Sequence, residues 1–327
     1  MSAENARVDY EAGRTLYPMA EITDSGDHKN YTSQASLWSG FEGSEATVYP
    51  NGLSTGGAVI PAAAAGNDDV DTAALTCYLA GVLTSVSAST DESITRPASA
   101  VSKVNSITVT SVGAIAVVAG TDGSDTNFSA TRGAAGGPPY IPVGDIEIAQ
   151  VRVISDTAAP ITAAQIFTTP NTHQERWDYP IFTLDNAAGE VNFNTALPLI
   201  HTGDLPKKVF AEYSEPDFAE AVDAHDYTPP ETSHSTSSTQ VYGRTVGSSS
   251  STLNQGSFSV IMKDGITDGL AKLKNKTLWF RLFPDRNKLP HRFDQGKLGV
   301  SRPYPASGNT VMACTISASD VGKEVEA

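Results

Sequence analysis

GSFSVIMKDGITDGLAKLKNKTLWFRLFPD, residues 256–285, changes its period twice within thirty positions. Residues 256–262 read as a strand. Ile266, Leu270 and Leu273 then recur at i, i+4 and i+7, the spacing of one helical face. Asp264 or Thr267 is placed to cap that helix, and Lys272, Lys274 and Lys276 sit near its C-terminal end, where cations are favoured. Residues 277–283 follow as a strongly apolar strand, stopped by Pro284-Asp285-Arg286. Within that strand Trp279 and Phe280 read as core rather than as a stacking platform for bases or sugars.

Outward from this segment the chain is punctuated by glycine and proline, at a spacing that suits short strands joined by turns. Towards the C-terminus, a loop through Gly296 leads to an alternating last strand, residues 311–317. Towards the N-terminus, residues 241–246 read as a strand and Gly247-Ser248-Ser249-Ser250-Ser251 as flexible chain. Residues 228–238 read as a polar loop and residues 207–213 as a strand. Phe182 and Leu184 face Val191 and Phe193 across a turn at 186–189. Earlier still, Ile107 and Val109 alternate with Ile115 and Val117 around Gly113, a hairpin pattern. Residues 145–154 read as a strand or a strand pair, 133–139 as a loop and 160–167 as one helical turn. Residues 75–83 fit either period, with strand preferred. Turns are signalled at Asn51-Gly52 and Gly56-Gly57. The expectation is a mainly β chain in three parts. Residues 1–45 are an arm or the first strands of the C-terminal domain, 46–172 a small all-β domain, and 173–327 a β-domain with one flanking helix.

Lys and Arg number 22 against 37 Asp and Glu, a net charge of -15, which argues against a nucleic-acid-reading face and against an anionic membrane surface. The acid is uneven. Residues 1–200 hold 8 basic and 22 acidic residues, a net of -14, whereas residues 263–302 hold 10 basic and 4 acidic. Residues 73–86, the longest apolar stretch, are too short to span a bilayer. The start, MSAENARVDYEAGR, lacks the apolar run of a secretory signal, so a cytoplasmic site of synthesis is expected. Cys77 and Cys314 sit in no CxxC pair and read as buried thiols.

No catalytic signature is present: GxSxG, HExxH, Walker A and GxGxxG are all missing. The aspartates around 67–71 and 122–125 lack the spacing of a calcium loop and read as turn residues. No two of the six histidines stand at zinc-ligand spacing, and His225 and His234 fall in polar loop. No catalytic residue, cofactor or metal is expected.

The order of elements in the C-terminal part resembles the tail tube proteins (major tail proteins) of siphophages. The residues that carry this are 208–218 (KVFAEYSEPDF), 242–262, 277–285 and Gly296-Lys297-Leu298-Gly299. Taken whole, the chain is similar to major tail proteins of Mu-like transposable siphophages of Pseudomonas. The resemblance implies a β-sandwich with one flanking helix and an extra β-domain outside the tube. It implies homo-hexameric rings stacked into a filament that conducts DNA during ejection. A long loop would reach neighbouring subunits, with Gly243, Arg244, Gly247, Ser249, Asn254 and Gly256 as candidates. Glu212, Glu215, Asp217 and Glu220, with Asp223, would line the lumen, and the basic residues of 263–302 would lie away from it. The implied partners are further copies, a tape measure protein, a tail terminator and tail-tip or baseplate proteins. DNA would pass without specific binding, no membrane would be engaged, and the protein would reside in the virion. Residues 141–166 are also similar to β-domains of phage baseplate and fibre proteins. That keeps a baseplate, tail-fibre or capsid-decoration adhesion protein as the alternative. A carbohydrate-binding β-protein or glycan hydrolase comes third.

Overall fold

A computed structural model describes residues 5–33, 46–63, 67–185, 188–262 and 269–325. The fold is mainly β, as the patterning predicts, with a single short α-helix among the described residues. Its centrepiece is a nine-stranded antiparallel sheet. Eight strands run in the order Ala224–Thr228, Gly256–Ile261, Val311–Ser317, His291–Ser301, Thr277–Phe283, Arg7–Glu21, Val209–Glu220 and Thr47–Pro50, and Lys323–Val325 adds beside His291–Ser301.

The N-terminal strand therefore sits inside the sheet. Arg7–Glu21 pairs on one side with Thr277–Phe283, from Arg7 opposite Phe283 to Tyr10 opposite Phe280. On the other side it pairs with Val209–Glu220, from Asp9 opposite Glu220 to Glu21 opposite Phe210. Extra residues between Glu11 and Gly13, and between Tyr17 and Ala20, shift this register and bend the strand.

The pleat sorts the side chains. Leu278 and Phe280 turn to one face, where they meet Val8, Phe258, Leu298, Met312 and Ile316 in a buried core. Each such large side chain stabilises the fold by roughly 1.5–3 kcal/mol. Trp279 turns to the other face and stacks on Phe293, ring centres 4.3 Å apart, so it is core as expected. The helix, Gly269–Lys272, closes the first face by burying Leu270 and Ala271. Its described part is four residues long. Its proposed caps Asp264 and Thr267, with Ile266, lie outside the described residues.

The loop expected through Gly296 is instead an eleven-residue strand, His291–Ser301. Its core-facing row is Asp294, Gly296 and Leu298, two of them not apolar, so no alternation betrays it. Asp294 is buried without strain because Tyr227 donates to it at 2.7 Å and Arg292 at 3.0 Å. Gly296 is required by close strand approach: a Cβ there would stand 2.6 Å from Ile316 and 2.9 Å from the Ser317 backbone.

The chain leaves the large sheet at Pro50 and returns at Val209, and these two residues are paired. Everything between is inserted. Leu75–Leu79 and Val82–Val86 form a hairpin around Ala80-Gly81, both at positive φ (50° and 75°), as a primed turn demands. Lys103–Val109 pairs with both Ile115–Ala119 and Ile146–Val153. The short helical turn is a 3-10 turn, Ala163–Gln165. These small sheets share one core, which includes Leu53, Val70, Cys77, Ile107, Ile148 and Val151. Phe182–Asp185 and Glu190–Phe193 form the expected hairpin and extend through Asn30–Thr32 to Thr23–Asp24. Their core, with Tyr31, Phe193, Val209 and Tyr213, bridges insertion and large sheet.

Candidate functional site

The polar segments expected as loops at 228–238 and 247–251 are strands. Thr232–Val241 and Arg244–Leu253 form a ten-residue antiparallel pair joined by Tyr242-Gly243, with Gly243 at φ 84°. Residues 241–246, expected as one strand, are thus the turn and its flanks. The ribbon is about 30 Å long at the usual rise. Every residue in it is exposed save Leu253, which is half-buried. Serine pairs hold it across the strands, Ser235 to Ser250 at 2.8 Å and Ser237 to Ser248 at 2.7 Å. The structure places Gly243 at the tip, Arg244, Gly247 and Ser249 along the returning strand, and Asn254 and Gly256 at its root. Asn254 N–H donates to the Glu231 carbonyl at 2.9 Å, closing the root. His234 lies within the ribbon and His225 within Ala224–Thr228, both exposed.

The acidic candidates lie on or just past the strand Val209–Glu220, and they do not share a face. Tyr213, Glu215 and Asp217 point one way, beside Tyr17 and Thr15. Tyr17 donates to Glu215 at 3.0 Å and Thr15 to Asp217 at 3.0 Å. The Glu215 carboxylate, by accepting that bond, raises the Tyr17 phenol above its ordinary pKa. Glu212 and Glu220 point to the opposite face; Glu212 is exposed, and Glu220 pairs with Arg286 at 3.2 Å. Asp223 occupies a turn at φ 61°. Part of the basic excess of 263–302 is compensated within the chain. Arg281 pairs with Asp9 at 3.2 Å, and Arg292 with both Asp294 and Glu231. Lys272, Lys274, Lys276 and Lys297 are exposed.

Sequence reasoning missed a buried charge cluster where the insertion meets the segment returning to the sheet. Glu147, Glu175 and Lys207 are exposed by 2%, 6% and 1%. Glu147 accepts from Arg132 at 2.5 Å, from Gln150 at 3.2 Å and from the Ser106 hydroxyl. The Glu147 N–H donates to one oxygen of Glu175 at 2.6 Å, and the other oxygen of Glu175 has no partner. Lys207 donates to the carbonyls of Arg176 at 2.7 Å and Tyr179 at 2.5 Å. Burial holds the Glu175 carboxyl well above its ordinary range and the Lys207 ammonium well below its own. The neighbouring Lys208, one step along the pleat, is exposed enough to pair with Glu21 at 2.7 Å. Nothing in the sequence separates the two lysines.

His201 belongs to the same junction. It is fully buried, and neither ring nitrogen makes a hydrogen bond, although the Pro142 and Ile141 carbonyls are close. Burial pulls its pKa down to about 4. Below pH 6.5 the unfolded chain takes a proton at this residue that the folded chain refuses. Stability is therefore complete above the unfolded value and is lost as pH falls towards 4, by on the order of 3 kcal/mol. Urea unfolding at pH 7 and pH 4 should show a smaller acid loss for His201→Leu than for the parent; equal losses would refute the assignment.

The remaining sequence candidates act as fasteners. Asp71 accepts the N–H groups of Ala63 and Asp91, which lower its pKa, and Asp122 accepts the Ala98 N–H and pairs with Lys103. Asp68 pairs with Arg96. Cys77 and Cys314 are buried free thiols, pushed up by burial to about 11 and about 12. Among the described residues no group of three His, Cys, Asp or Glu side chains is arranged to hold a metal ion, and no helix is long and apolar enough to cross a membrane. In comparison with known proteins, no family model and no curated protein matches the chain.

Proposed function

We propose that this chain is a structural virion protein: the subunit of a phage tail tube, polymerising as stacked hexameric rings around a channel for DNA ejection. The observation that carries the reading is the exposed ribbon Thr232–Leu253. A two-stranded hairpin without a packed face is marginal in water. A ribbon of this length, with no core of its own, is an arm that gains its stability on a neighbouring copy. Head-to-tail use of such an arm generates rings when the rotation closes and filaments when it does not.

Charge supports the same reading. Six copies of -15 give a ring of about -90, whose field repels phosphate and leaves DNA free to pass. Glu215 and Asp217, which share a face, are the better lumen candidates, whereas Glu212 and Glu220 turn away from them. Further copies, a tape measure protein, a tail terminator and tail-tip or baseplate proteins are the partners of this role, and no catalytic step or cofactor is part of it. Negative-stain electron microscopy of concentrated, aged protein, beside sedimentation velocity, tests it. Hollow filaments or stacked six-fold rings are expected. A closed trimer that never forms filaments, even with a tail-tip initiator added, would transfer the reading to a baseplate, fibre or decoration adhesin.

A further inference from the structure

We propose that the inserted β-region carries a binding cleft for a small ring-bearing carboxylate, a sugar acid, centred on Arg152. This goes beyond the tube reading and does not depend on it. The cleft has a volume of about 390 Å³, within the range of small-ligand sites, and is lined by Phe128, Arg152, Ile154, Gln165 and Phe167 with Arg96 at its edge.

Its two arginines differ. Arg96 is consumed by the fold: it pairs with Asp68 and donates to the carbonyls of Ser155 at 3.0 Å and Ala159 at 2.8 Å. Arg152 lies over the Phe167 ring, 4.2 Å from its centre, and 5.7 Å from the centre of Phe128. Among the described residues its one side-chain contact of hydrogen-bonding length is from Nη2 to His173 Nε2 at 3.2 Å, and its Nε is buried without a partner. Burial lowers its pKa, and among the described residues no carboxylate opposes that. An uncompensated, partly desolvated cation is out of place in residues 1–200, whose net charge is -14 (8 basic, 22 acidic). A guanidinium placed over an aromatic ring keeps its terminal nitrogens for an oxyanion, which they can bind in bidentate fashion.

The anion is identified by count and by surroundings. One unpaired positive charge matches a monoanionic carboxylate; a phosphate dianion would add an unmatched negative charge to an acidic protein. Phe128 and Ile154 offer an apolar wall for the C–H face of a pyranose ring. Gln165 already accepts at its oxygen from the Thr162 N–H (2.9 Å) and hydroxyl (3.0 Å), which leaves its NH2 group to donate to a ring hydroxyl.

The test is saturation-transfer NMR titration of the full chain with glucuronate, its methyl ester, glucose and inorganic phosphate. Glucuronate should bind, with the ester and glucose weaker by about ten- to a hundredfold, the value of a charge-assisted pair. Arg152→Gln should remove that difference, and Phe167→Ala should weaken glucuronate alone. Equal binding of glucuronate and its ester, competition by phosphate as effective as glucuronate itself, or no binding at tens of millimolar would each overturn the proposal. The ester comparison uses the unaltered protein, so it holds even if Arg152→Gln fails to fold.

Discussion

Removing residues 232–253 and joining Glu231 to Asn254 through a Gly-Ser turn should leave a folded protein that forms no filaments. The junction is already closed by the Asn254 to Glu231 backbone bond at 2.9 Å, so the deletion asks nothing new of the backbone. None of the removed side chains enters a core cluster. Surface changes of this kind move stability by only about 0.5 kcal/mol. Thermal unfolding should therefore shift by no more than about 2 °C. On the tube reading proposed above, assembly should be abolished, because among the described residues the ribbon enters no core cluster and is free to seat on a neighbouring copy. Filaments of normal length from the deleted protein would remove the ribbon from the assembly mechanism, and an unfolded product would show that it supports the fold instead.

Lys207→Ala should cost about 3–5 kcal/mol, the usual loss when one member of a buried charged group is removed. Two effects combine. The carbonyls of Arg176 and Tyr179 lose their donor, and Glu175 loses the positive charge that draws its pKa back down. The pH dependence has a definite sign. Because Glu175 is held above its ordinary value, the folded state keeps a proton that the unfolded chain releases. Its contribution therefore falls as pH rises from the ordinary carboxyl range through the raised folded value. Lys207, depressed in the fold, acts oppositely at higher pH: the unfolded chain alone retains its proton, so that contribution rises with pH. In Lys207→Ala only the first slope remains, and the defect should be larger at pH 8 than at pH 5. Glu175→Gln added to Lys207→Met should recover the pH-dependent part of the loss, because neither position then titrates, while the carbonyls of Arg176 and Tyr179 still lack their donor. Urea unfolding of the three proteins at both pH values decides. A pH-independent defect that the double substitution does not relieve would refute the coupling.

What the sequence revealed follows from apolar runs and turn residues. Thr277–Phe283 is legible because it is apolar almost throughout, with Leu278 and Phe280 buried on one face and Trp279 on the other. Gly113 at φ 81° marks its hairpin in the same way. Residues 1–45 read equally as an arm or as the first strands of the C-terminal domain; Arg7–Glu21 is such a strand, and pattern alone does not decide it because its buried row includes Asp9 and Glu11, exposed by 4% and 3%. Their partners are Arg7, Arg281, Arg14 and the Trp279 N–H, drawn from both ends of the chain. The serine ribbon hid for the opposite reason: both faces meet water, so nothing alternates. The acidic candidates were legible as a cluster in sequence but not as two sets, since a strand separates neighbours to opposite faces. The charge at Glu175 and Lys207 carries no local signal at all.

The position of Arg7–Glu21 also sets a timetable for synthesis. This strand leaves the ribosome well before its neighbours Val209–Glu220 and Thr277–Phe283. At roughly 5–20 residues per second the wait for both is on the order of 10–60 s. During that time the inserted hairpins, whose contacts are local, can fold while an unpaired strand stands beside them. Exposed strands of this length invite pairing with other chains. Arg7, Asp9, Glu11 and Arg14 guard against it, since a premature partner would have to take up charges it cannot match. The charges that later meet at the sheet's centre, Asp9 with Arg281 among them, are thus unmatched on the nascent strand and weigh against pairing before its C-terminal neighbours arrive.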